Sequence, residues 1–245
     1  TFDVGDKIPE QTSVEEYEEN IPDFSDLFKD VSGEVWFITC GSGKIASSSL
    51  RMLHNIKHCD INVLYVYPDP FMLGPDAKMR NRVVFNVFQE YARSGLFKAI
   101  YLVSNKHVLD IIGDSSLMDR YEKINSMIVS SIHYYNIYKN TQPLMGFHHN
   151  SKEISRIRSF GVFDLKKNEE KLLFPLDNIT EVGYIYNIIE EDLKNNKSLF
   201  NSIKQQQEVL KLQEKQASFA IYSTKFDHNF CNTINMTHHI QQEVT

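Results

Sequence analysis

Three apolar runs rich in β-branched and aromatic residues constrain the first half of the chain: EVWFITC from Glu34, INVLYVYP from Ile61 and KAIYLVSN from Lys98. Each is nearly continuous rather than alternating, the pattern of strands buried on both faces. Stretches of helical period separate them. SSSLRMLHNIK puts Leu50, Leu53 and Ile56 on one face, and DAKMRNRVVFNVFQEYARSG puts Val83, Val84, Val87, Phe88 and Tyr91 on a stripe that stops at Gly95. Strand, helix, strand, helix, strand predicts an α/β fold with a parallel, Rossmann-like sheet covered on both faces. Such sheets bind ligands at the carboxyl ends of their strands.

Polar residues collect at those ends: Gly41 to Ser49, Pro68 to Gly74, then Ser104 and Asn105. The acidic segment before the first run reads as one or two short helices closed by Gly33. A long helix is expected from Met118 to Lys139, buried through Tyr121, Ile124, Ile128, Ile132 and Tyr135. Beyond it the character changes. RIRSFGVFDL, KLLFPLDN and SFAIYST read as strands, EVGYIYNIIEEDLKNN and LFNSIKQQQEVLKLQEKQ as helices. The expectation is a first domain over 1–139 that includes core helix 118–139, joined by that helix to a smaller α+β domain over 140–245.

With 42% hydrophobic residues the 245-residue chain can bury a substantial core, and its net charge of -6 argues against a general binder of nucleic acid or anionic membrane. Cys40, Cys59 and Cys231 stand far apart with no close pair, so neither a disulfide framework nor a zinc site is suggested, and a reducing cytoplasm fits. No apolar run approaches the roughly 20 residues of a membrane span. The adjacent histidines His148-His149 and His238-His239 are expected to point apart, as neighbouring residues do, and have no supporting ligand cluster, so no metal site is expected there.

The loop GSGKIASSS, between the first strand and its helix, has the setting of a phosphate grip. It is not a P-loop. That motif needs Gly-x-x-x-x-Gly-Lys-Ser/Thr, whereas Gly43-Lys44 is followed by Ile45 and the first glycine's place is Ile38, inside the strand. What remains is a helix N-terminus whose N–H groups favour an anion. The alternative is a serine-rich helix cap that binds nothing.

In order of elements and motifs the chain resembles the tubulin/FtsZ superfamily of GTPases. ITCGSGKIASSS is similar to the family's GGGTGSG loop, with Gly41, Ser42, Gly43, Ala46 and Ser47 matching and Lys44 and Ile45 departing from it. DPFMLGPDAKMR resembles PFxxEGxxR, with Pro70 and Phe71 through Gly74 and Lys78 or Arg80 as the basic residue; the glutamate is missing. Ser104-Asn105 matches the family's SN step, and RYEKINSMIV places Asn125 where the family reads guanine. The family's NxDxxD loop, which reaches the next subunit's nucleotide, is matched by Asn150 and Glu153 at three-residue spacing, one acid being replaced by an amide. DKIPEQTSVEEYEEN resembles the family's NPE segment through Pro9 and Glu10. The family's first strand and first glycine-rich loop have no counterpart in this sequence.

The resemblance implies GTP or GDP bound by Gly41, Ser42, Gly43, Lys44, Ala46, Ser47, Pro70, Lys78, Arg80, Asn105 and Asn125, with any Mg2+ carried by the nucleotide. It implies Glu153 and Asn150 acting across a head-to-tail contact between copies of the chain, in cytoplasmic filaments that hydrolyse GTP. The departures at Lys44, Ile45, Gly74 and Asn150 leave a second reading open, a non-hydrolysing scaffold that binds a protein partner through its C-terminal domain. An unrelated nucleotide-binding α/β domain is a third.

Overall fold

The computed structural model describes residues 3–113, 116, 118–148, 151–212 and 215–243. In chain order its strands are β1 (Glu34–Thr39), β2 (Asp60–Tyr67), β3 (Ala99–Ser104), β4 (Met145–Gly146), β5 (Ile157–Asp164), β6 (Glu169–Leu172), β7 (Glu181–Ile189), β8 (Gln216–Thr224) and β9 (Phe230–Thr237). The helices are α1 (Val14–Glu19), α2 (Ser25–Phe28), α3 (Ser49–His54), α4 (Pro75–Ser94), α5 (Asn105–Ile112), α6 (Arg120–Asn140), α7 (Glu190–Asn195) and α8 (Lys197–Leu212). All nine strands join one mixed sheet in the order β1-β2-β3-β5-β9-β7-β8-β4, with β6 hairpinned onto β5.

The parallel part is β1, β2, β3 and β5, in register through Glu34 with Asp60, Asn62 with Ala99 and Ile100 with Ile157. The ladder therefore continues from β3 into β5, across residue 139, the expected domain boundary. Beyond β5, strands β9 and β7 are antiparallel neighbours, and β7 and β8 run parallel.

The apolar strands make the sheet a two-sided core. On one face Met52, Leu53, Val84, Phe85 and Phe88 from α3 and α4 pack on Ile61, Val63, Tyr65, Ile100 and Leu102. On the other, Ile124, Ile128, Tyr135 and Tyr138 of α6 lie against Leu64, Tyr101, Val103, Phe160 and Ile234. The core helix thus covers both halves of the chain. A third cluster, including Ile203 of α8, packs over Val182, Tyr184, Tyr186 and Ile188.

Several details differ from the sequence expectation. EVGYIYNIIEEDLKNN is a strand before it is a helix, because all eight positions from Glu181 to Ile188 are buried, and a helix on a sheet would expose one face. KLLFPLDN contributes only its first two residues to β6; Leu173 and Phe174 are buried beyond the ladder, ahead of Pro175, which has no N–H to donate. Strand β9 escaped the pattern because its buried Asn232, Thr233, Asn235 and Thr237 break the apolar run. Val83 and Tyr121 were expected on buried stripes but are 57% and 60% exposed; Phe85 and Tyr138 fill those faces instead. Asn105, at the end of the β3 run, is the first residue of α5.

Candidate functional site

The chain leaves β1 at Thr39, turns through Gly41 to Gly43 and enters a 3-10 turn, Lys44–Ser48, that runs directly into α3. Gly41 is held against a lid. The hydroxyl of Tyr65 stands so close over its α-carbon that a Cβ there would lie 1.7 Å from the oxygen. Tyr65 is fully buried and donates to Oδ1 of Asn81 at 2.8 Å; burial pushes its phenol well above the usual range, so it stays a neutral donor. One residue earlier on α4, Arg80 Nε donates to the carbonyl of Ser42 at 3.2 Å. The start of α4 therefore fixes the shape of the glycine loop. Ala46 is buried, and Ser47 Oγ donates to the Lys44 carbonyl. Lys44 itself turns away from the loop to the Thr12 carbonyl, 2.9 Å from Nζ.

At the end of β2, Asp69 caps the turn Pro70–Met72 by accepting from Phe71 N at 3.1 Å. Its other oxygen meets Arg120 Nη2 at 3.2 Å, with both side chains about four-fifths buried, so the second loop is tied to the first turn of α6. Lys78 is exposed on α4. At the end of β3, buried Ser104 caps α5, and the next residue, Asn105, keeps a buried Oδ1 without a hydrogen-bond partner. Ser48 Oγ is buried and unpartnered in the same way. Asn125 is exposed on α6, about one and a half turns past Arg120.

The three loops share the carboxyl rim of the parallel strands. Hydrogen bonds bring Ser42 to Arg80 and Asp69 to Arg120; they do not bring in Lys44, Lys78 or Asn125. Asp69, Arg120, Tyr65 and Asn81 were missed in the sequence, where only Asp69, beside prolines at a strand end, carries a local signal.

Glu153 lies at the other end of the sheet. It is exposed in the turn before β5, and β5 begins level with the start of β3, where Ile100 N donates to the Arg156 carbonyl at 2.8 Å. The six residues of β3 separate this end from Asn105 by about 20 Å. Two charged side chains, buried Glu181 and half-buried Arg158, hold the turn. Glu181, 0% exposed, accepts from Lys152 N at 3.1 Å and from Ser155 Oγ. Arg158 donates to the Ser155 carbonyl at 3.2 Å, to Ser151 Oγ at 2.8 Å, and to the hydroxyls of Tyr101 and Tyr135, each at 3.1 Å. Beside Glu153 a cleft of about 420 Å³ is lined by Arg93, Gly95, Arg156, His238 and His239. Asn150, the partner expected for Glu153, lies outside the described residues.

No protein-family profile and no curated protein matches the sequence. Solved structures do match the fold. CetZ from Methanosaeta thermophila superposes with a TM-score of 0.61 at 16% identity, covering 84% of this chain and 61% of that one. TubZ of Bacillus thuringiensis serovar israelensis, in GDP-form protofilaments, gives 0.63 at 17% identity over 91% and 66%. An empty FtsZ dimer from M. jannaschii gives 0.63 at 8% identity over 91% and 69%. The chain therefore has the tubulin/FtsZ fold, and it spans between three fifths and seven tenths of the length of these neighbours.

Proposed function

We propose that the chain is a tubulin/FtsZ-like protein that binds guanine nucleotide on the carboxyl rim and assembles head to tail, with Glu153 of one copy completing the nucleotide site of the next. One observation carries this reading. The glycine loop and Glu153 stand at opposite ends of the same strands, about 20 Å apart, several times the reach of a glutamate side chain. Within one copy they cannot meet; between stacked copies they can. Such a contact is heterologous, and repeated without closure it builds a filament.

The rim suits a nucleotide. Backbone N–H groups at the start of the Lys44–Ser48 turn and α3 favour phosphate oxygens, and Gly41 and Gly43 let the backbone come close. Asn105 Oδ1 is an acceptor, so it suits the O–H or N–H donors of a ribose or base rather than a phosphate. Pro70, Lys78 and Arg80 are assigned to the phosphate end and Asn125 to the guanine edge. Mg2+ would arrive with the nucleotide. In this reading Glu153 orients water toward the terminal phosphate, and residues 1–139 and 140–245 divide the work of binding and activation.

A second reading, a scaffold that binds nucleotide without hydrolysis or none at all, draws on Lys44, whose ammonium serves the Thr12 carbonyl rather than the loop. Phosphate release measured over a range of protein concentrations separates the two. Turnover per subunit that rises with concentration supports trans completion by Glu153, and no release at any concentration supports the scaffold.

A further inference from the structure

The cleft beside Glu153 has a chemistry of its own. Of the charged side chains that line it, Arg93 and Arg156 are cations and Glu153 is the acid; His238 and His239, adjacent residues expected to point apart, instead bring their rings together, with centroids 4.1 Å apart. Arg93 is partnered with Glu90 at 3.1 Å, which leaves Arg156 as the central cation. Its guanidinium is held in place: Nη1 donates to the carbonyls of Phe97 at 3.1 Å and Lys98 at 3.4 Å. Nε and Nη2 make no hydrogen bond to a described residue. Gly95, at φ +88, passes beneath this group, and even a Cβ there would stay 3.7 Å from Nη2. The backbone beneath the histidines is also held, since His239 N donates to Thr237 Oγ1 at 3.2 Å and that hydroxyl donates to the Asn178 carbonyl at 2.8 Å.

We propose that the Arg156, His238 and His239 cleft is a phosphate-binding site, and that the phosphate it receives is that of a nucleotide held by a second copy of the chain. A guanidinium with Nε and Nη2 left over is a bidentate partner for phosphate oxygens, and imidazole N–H groups add donors. The second half rests on the head-to-tail reading and explains a difficulty within it. A carboxylate brought to a polyphosphate in trans meets like charge, in a site partly closed to water where that repulsion is least screened. A fixed cation beside Glu153 offsets it. The pair would act as a unit, the arginine and histidines holding the terminal phosphate and the glutamate addressing water.

The test follows the imidazole signals of His238 and His239 by NMR on the whole chain. With inorganic phosphate at low protein concentration, a saturable shift is expected, weakened at least tenfold in Arg156→Gln. Phosphate affinity by calorimetry in His239→Gln, a change at an exposed position, gives the same reading if Arg156→Gln melts early. With a non-hydrolysable GTP analogue and no free phosphate, the same signals should shift as protein concentration rises. No saturable response to phosphate overturns the site. A response to phosphate without one on concentrating the analogue-loaded protein overturns the second copy as its source. Failure of the nucleotide reading is seen separately, as absence of analogue binding at the rim in dilute protein.

Discussion

The hydroxyl of Tyr65 donates to Oδ1 of Asn81 at 2.8 Å directly above the α-carbon of Gly41, so a strand, a helix and the glycine loop meet at one atom. Gly41 is needed there because any Cβ would occupy the position of that oxygen. Gly41→Ala should therefore cost about 1–3 kcal/mol through forced displacement of a buried ring. Pairing it with Tyr65→Phe should recover part of the loss, less about 1 kcal/mol for leaving Asn81 Oδ1 without its donor. Urea denaturation of the two single variants and the double variant measures this, and equal effects that simply add would count against the steric account.

Arg80 shapes the loop from its polar side through the Ser42 carbonyl. Arg80→Ala should lower stability by only about 1 kcal/mol, since the bond is half-exposed. Its effect on GTP affinity should be larger, roughly tenfold or about 1.4 kcal/mol, because both loop shape and a cation near the phosphates are lost. Nucleotide titration beside a thermal melt distinguishes loss of site from loss of fold.

GTP should protect the protein against thermal unfolding better than ATP, with Asn125 as the residue that tells them apart. At a hundredfold excess over Kd the native state gains about 2.7 kcal/mol. Asn125→Ala, an exposed change on α6, should keep the melting temperature of the free protein and abolish the preference. Equal protection by the two nucleotides in the parent chain would remove Asn125 from the site.

The turn that carries Glu153 depends on Glu181 and Arg158. Removing either charge leaves its neighbours' buried polar groups unsatisfied, so Glu181→Ala should destabilise by about 3 kcal/mol. Amide hydrogen exchange at Lys152, whose N–H points at Glu181, should accelerate in Glu181→Gln before global stability falls far. An unchanged rate at Lys152 would show that the turn is held by something other than this carboxylate.

How much of this was readable beforehand follows from what the signals are made of. β1, β2 and β3 announce themselves because a strand covered on both faces must be apolar at nearly every position. β7 has the same character but was read as a helix, since VGYIYNII satisfies both periods when nothing is left exposed. β9 stayed hidden because its buried Asn235 and Thr233 find partners in Glu170, a residue of the distant strand β6. The site divides likewise. Gly41 and Asn105 are legible as local features of strand ends, whereas the ties Asp69 to Arg120 and Tyr101 to Arg158 join residues more than fifty positions apart and exist only once the sheet has formed.

Glu153 decides between the two functional readings. It is exposed, its backbone turn is held by Glu181 and Arg158, and it lies about 20 Å from the rim of its own copy. Glu153→Gln removes a charge and nothing else, so stability should stay within about 0.5 kcal/mol of the parent and GTP affinity in dilute protein should not change. If Glu153 orients water in a neighbour's site, phosphate release should fall at least tenfold while sedimentation still finds assembled protein, and assemblies should persist longer because turnover no longer dismantles them. The dependence on concentration should also flatten. In a mixture of parent chain and variant, release should drop in proportion to the variant fraction, since each site draws its glutamate from the next copy. A variant that hydrolyses normally, or a parent rate per subunit independent of concentration, would place the catalytic group elsewhere and return Glu153 to the solvent.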